Sequence, residues 1–120
     1  KWVKTALPAH PYHDCWRRGR TVLAGDAAHP IQPNLAQGAG QSLVDAASLL
    51  HWMADDNLDS ALSGYARERS KAVGVIFKKA AVSSKIMALD GTSATARSTL
   101  IGLGGAPMLN AWLAEVWAAA

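Results

Sequence analysis

Asp26 closes the short run "RTVLAG" and is followed by two alanines. A carboxylate there can accept hydrogen bonds from vicinal hydroxyls, and Ala27 and Ala28 are small enough to let a partner approach closely. Pro30 and Pro33 fix φ and withhold N–H groups, which makes a rigid, extended passage. Gly38 and Gly40 then allow close backbone approach where an apolar helix begins. The first amides of that helix have no intrahelical acceptor and carry about half a positive charge. Such an end attracts the electron-rich group of a ligand. These residue types point to ligand binding by a hydroxyl acceptor beside an amide donor end.

Neighbouring titratable groups read as support. His29, between an alanine and a proline, is expected to be a hydrogen-bonded supporting residue rather than a base. Asp45, inside the apolar helix, is expected to be a buried carboxylate bonding local backbone. Trp16, Trp52, Trp112 and Trp117 are expected to be packing residues.

The elements that position these residues follow from the pattern. Trp2–Leu7 reads as a strand, residues 8–19 as a loop, and Arg20–Gly25 as a short buried strand. A strand ending at Gly25 puts Asp26 at the carboxyl edge of a sheet, where open α/β sheets hold ligands. Leu43, Ala47, Leu50 and Ala54 fall on one helical face. Asn57 or Asp59 caps the next helix, which carries Leu58, Leu62, Tyr65, Ala66, Val73, Ile76, Phe77 and Ala80 toward Leu89. Its polar stretch "RERSK" is expected to be solvated. "DGTSATARS" reads as a linker, and "GLGGAP" as a turn before a short helix with Pro107 near its first position.

Composition narrows the class. The chain has 120 residues, half of them apolar, and a formal charge of +3, which suits one modest domain rather than disorder. The basic residues are scattered, so no nucleic-acid stripe is present. The single cysteine, Cys15, excludes an internal disulfide and a Cys-based zinc site, and is expected to be half-buried in a reducing, cytoplasmic setting. Glycines, Pro107 and Asn110 interrupt the uncharged stretch from Ser98 to Ala114, so a membrane span is not expected and membrane association has no support.

In order, the string G-D-A-A-H-x3-P-x3-Q-G-x-G-x4-D-A, from Gly25 to Ala46, resembles the second flavin-binding motif of the FAD-dependent aromatic hydroxylases. These are the flavoprotein monooxygenases of the p-hydroxybenzoate hydroxylase type of fold. "WRRGRTVLA" before it and "YARER" after it are similar to the same family, so the resemblance covers Trp16–Arg69. It implies an α/β fold of which this chain is a carboxy-terminal, helix-dominated portion with one or two short strands. Residues 1–56 would complete a Rossmann-like FAD-binding domain, and 57–120 would form a helical segment.

The resemblance further implies that Asp26 binds a ribitol hydroxyl of FAD. Pro33 would shape the loop beside the isoalloxazine ring, with Gly38 and the amides of Ala39 and Gly40 at its pyrimidine edge. It implies NAD(P)H as reductant, O2 as oxidant and a small aromatic or apolar substrate. Two positions depart from the family pattern: Ala36 stands where glycine is common, and Val44 where glutamate is. The family's G-x-G-x-x-G and middle D-G motifs are missing, and "GLGGAP" follows no strand. By itself such a portion would lack most of an FAD site. The alternatives are another FAD oxidoreductase of the same fold, an isoprenoid reductase or halogenase, or a non-catalytic helical interaction module.

Overall fold

In a computed structural model of the chain, residues 8–54 and 56–118 are described. The strand expected at Trp2–Leu7 lies outside them. Two short strands, β1 (Arg17–Arg18) and β2 (Thr21–Val22), pair antiparallel with Arg17 opposite Val22 and Arg18 opposite Thr21. Gly19 turns between them at φ +60. Three helices follow: α1 (Gly38–Trp52), α2 (Leu58–Met87) and α3 (Gly91–Ala118). Among the described residues the chain is thus helix-dominated with one two-stranded sheet.

The expected buried strand over Arg20–Gly25 is shorter and drier on one side only. It ends at Val22, and Thr21, Leu23 and Ala24 are exposed. Asp26 therefore lies not at a sheet edge but in a separate 3-10 turn, Gly25–Ala27. Leu23 stays tied to the hairpin, donating its amide to the Trp16 carbonyl at 2.9 Å.

Helix α2 is the spine. Asn57 caps it by accepting from the Ser60 amide at 3.0 Å, and its first turn carries Asp59, which suits the helix dipole. Ala61, Leu62, Tyr65, Ala66, Val73, Ile76 and Ala80 are buried along one stripe, as their spacing predicts. Trp16, Ala28, Tyr65, Ala66 and Val73 form the core, with Tyr12, Val22, Ile31, Leu49 and Trp52 against it. Tyr12 anchors the entering loop to α2: its hydroxyl donates to the Ser70 carbonyl, and its ring lies 5.2 Å from that of Phe77. Trp52 crosses α2 at Gly64, where any Cβ would overlap the indole. Trp16 and Trp52 are thus packing residues; the side chains of Trp112 and Trp117 lie outside the description.

Four expectations are corrected. Leu43, Ala47 and Leu50 on α1, and Ala54 past its end, are exposed, and the buried face of α1 carries Gln41, Asp45 and Ser48. A polar face turns inward because α2 presents Arg69 to it. Accordingly "RERSK" is not all solvated: Arg67, Glu68 and Lys71 are exposed, but Arg69 is buried. From Gly91 on, the linker and turn expected over "DGTSATARS" and "GLGGAP" are one continuous helix, α3, with Pro107 inside it. Hydroxyls of Thr95, Ser98 and Thr99 donate to carbonyls one turn back, and Pro107 removes only one N–H from a long ladder. Cys15 is exposed rather than half-buried.

Arg97 reaches back from α3 to the Ile86 and Met87 carbonyls at 3.1 and 3.0 Å, which satisfies the free end of α2. Among the described residues no helix is long and apolar enough to cross a membrane.

Candidate functional site

The loop that carries Asp26 is fixed at both ends by one carboxylate. The Gly25 amide donates to Asp45 Oδ2 at 2.8 Å, and His29 Nε2 lies 2.6 Å from the same oxygen. Between these points the Gly25 carbonyl accepts from the Ala28 and His29 amides, both at 2.9 Å. Gly25 adopts φ +58, which favours glycine, and a Cβ there would make a tight 3.1 Å contact with Ser42 Oγ. Ala28 and His29 are buried, the His29 ring 5.4 Å from that of Trp16. Asp26 and Ala27 are consequently pushed out into solvent.

The passage that follows is turned rather than extended as expected: the Ile31 amide donates to the His29 carbonyl at 2.6 Å. Pro33 opens a 3-10 turn, Pro33–Leu35, which ends at Ala36 in the left-handed region, φ 52 and ψ 29. Alanine thus adopts the backbone for which glycine is suited. Asn34 Nδ2 donates to the Ala80 carbonyl at 2.9 Å and pins this turn to α2. Pro33 itself is exposed.

Helix α1 begins without a side-chain cap. Gln37, at the N-cap, has helical φ and ψ, and its buried side chain bonds Gln41 instead of the helix amides. The first ladder bond runs from the Gln41 amide to the Gln37 carbonyl at 2.9 Å. The amides of Gly38, Ala39 and Gly40 therefore precede the ladder and form its positive end. Ala39 and Gly40 are exposed, and the space where a Gly40 Cβ would stand is open to 4 Å.

The carboxylate and the helix end are neighbours. Asp26 Oδ1 lies 3.9 Å from the Cβ position of Gly38. Asp26, Gly38, Ala39 and Gly40 are thus brought to one open edge, with Pro33 on the connecting turn. This edge can accept hydrogen bonds from hydroxyls at one point and donate amides to an electron-rich ring edge at another. That donor set fits the polyol chain and pyrimidine edge of a flavin. His29 is fully buried and engaged with Asp45, so it supports the loop, as its sequence context predicts.

Behind the edge lies a network that the sequence reading missed. Asp45 bonds no local backbone. Its Oδ2 holds Gly25 and His29, and its Oδ1 accepts from Arg69 Nε at 2.8 Å. Arg69 Nη2 also donates to Gln41 Oε1 at 2.6 Å. Burial pushes the Asp45 carboxyl up, but the bonds from His29, Arg69 and the Gly25 amide outweigh it and hold it below its ordinary value. Tyr65, buried nearby, has its phenol pushed up to about 12, by burial and then by the Asp45 charge. A signal for this network did exist: Arg69 falls on the apolar stripe of α2, and Gln41, Asp45 and Ser48 fall on one face of α1.

Comparison with known proteins gives the family. The family described as FAD binding domain matches residues 1–80. The 6-hydroxynicotinate 3-monooxygenase of Bordetella bronchiseptica is 59% identical over 34 residues, covering 28% of this chain and 9% of the relative. The FAD-dependent monooxygenase penM of Penicillium crustosum is 33% identical over 98 residues, covering 72% of this chain and 21% of the relative. A probable NADH-specific resorcinol 4-hydroxylase of Rhodococcus jostii is 38% identical over 86 residues, covering 68% and 16%. The chain therefore spans about a fifth or less of the length of these relatives. No solved structure matches.

Proposed function

The chain belongs to the FAD binding domain family, and on that premise we propose that its Asp26–Gly40 edge holds the ribitol and isoalloxazine side of FAD in a flavin-dependent monooxygenase of Rossmann-like fold. The observation that carries this reading is the placement of the Asp26 carboxylate beside the uncapped start of α1. Asp26 accepts from a ribitol hydroxyl. The amides of Ala39 and Gly40 donate to the pyrimidine edge and favour negative charge there. Pro33 holds the connecting turn at the ring. When bound, the flavin supplies the redox chemistry of oxygen insertion, and the protein supplies orientation and field.

The names of the relatives support NAD(P)H as reductant and a small aromatic substrate, with O2 the source of the inserted atom. They favour hydroxylation over halogenation or isoprenoid reduction. The decisive test uses the flavoprotein that carries this segment, freed of FAD and titrated with it. Asp26→Ala removes a charge-assisted hydrogen bond of roughly 1.5–3 kcal/mol, so affinity should fall about ten- to a hundredfold. Unchanged affinity would reduce Asp26 to a turn residue.

A further inference from the structure

We propose that Arg69 is a positioning residue of the flavin site, fixing the Asp26 loop against the first turn of α1 without touching the ligand. This rests on the reading of the Asp26–Gly40 edge given above. Asp26 is exposed, and among the described residues no side-chain bond of its own sets its place. Its distance from Gly38 is therefore decided by whatever holds the two backbones. On one side Asp45 Oδ2 grips both ends of the loop, at Gly25 and His29. On the other side Gln37, the residue before Gly38, accepts from Gln41 Nε2 at 3.3 Å. Arg69 joins the two: Nε donates to Asp45 Oδ1 at 2.8 Å and Nη2 to Gln41 Oε1 at 2.6 Å.

The network is dry. Arg69 is 2% exposed, Asp45 and Gln41 1% each, and Gln37 4%, so water has little access to replace a lost bond. The choice of arginine is informative. Its planar fork serves two acceptors at fixed angles, whereas a lysine ammonium acts as a point charge. Stability alone does not require such a group, since a buried ion pair is often no better than apolar packing of the same volume. What apolar side chains cannot do is hold a loop and a helix start at one defined spacing.

The test is a double-mutant cycle in the flavoprotein that carries this sequence, read as FAD affinity and as the reduction potential of the bound flavin. Arg69→Met keeps the stem and removes both bonds. It should weaken FAD by about tenfold on its own, shift the potential, and weaken FAD by less than about threefold in the Asp26→Ala background, as expected for coupled sites. An equal loss in both backgrounds, with the potential unmoved, would make Arg69 a stabilising residue only and overturn the proposal. Should Asp26→Ala alone leave FAD affinity intact, the reading of the edge itself fails, and the positioning role with it. If Arg69→Met does not fold, Gln41→Met cuts one arm and leaves the ion pair in place. The same coupling to Asp26 is then expected, and unchanged affinity and potential would refute it.

Discussion

Arg69 on α2 donates through Nε to Asp45 on α1 across 2.8 Å, with both side chains almost fully buried. Two helices are thus joined by charge where their apolar residues alone would suggest greasy packing. The same carboxylate carries the Gly25 amide and His29, so a single side chain couples the interhelical contact to the exposed loop at Asp26.

Acid sensitivity follows from that carboxylate. Its folded-state pKa lies below the ordinary 3.8, so it contributes stability that is present above that value and is lost as pH falls through the depressed one. Urea midpoints should drop steeply below about pH 4, and the drop should be shallower in Asp45→Asn. At pH 7 the same substitution leaves Arg69 without its counter-charge and should cost roughly 3–5 kcal/mol.

Ala36 lies at φ 52, where a Cβ costs roughly 1–2 kcal/mol. Glycine would relieve this and lose part of the gain to greater freedom in the unfolded chain, about 0.4–1 kcal/mol. Ala36→Gly should therefore raise stability by up to about 1.6 kcal/mol in urea titration, and Ala36→Val should lower it.

Helix propensity favours Gly64→Ala by about 1 kcal/mol, yet a Cβ there would overlap the Trp52 ring. Overpacking should win, with a net loss of roughly 1–3 kcal/mol. In a Trp52→Leu background the penalty should shrink or change sign, which a four-member denaturation series would read directly.

A carboxylate at the start of α1 opposes the field of its amides. Gly40→Asp should cancel a helix-end contribution of roughly 0.3–2 kcal/mol. At about 30 mV per 1.4 kcal/mol for a two-electron couple, the potential of bound FAD should fall by roughly 6–43 mV. A dye-equilibrated titration of the flavin-loaded protein checks this, and an unchanged or higher potential would detach Ala39 and Gly40 from the flavin.

The sequence by itself determined what depends on local order and period. The Gly25–Ala46 string announced a loop, a stiff turn and an uncapped helix start, because Gly25, Pro33 and Gly38 act through their own backbones. Asn57 or Asp59 announced the start of α2, of which the structure takes Asn57 as the cap, and the spacing of Leu62, Tyr65, Val73 and Ile76 announced its buried stripe. Tertiary structure decided which face of α1 turns inward. Leu43 and Leu50 have the right period to be core, yet they are 74% and 75% exposed. The opposite face holds Asp45 and Gln41, and their partner Arg69 comes from a distant helix. A buried charge is tolerable only where its counter-charge and hydrogen-bond partners meet it, and that meeting is a property of the packed helices rather than of either segment.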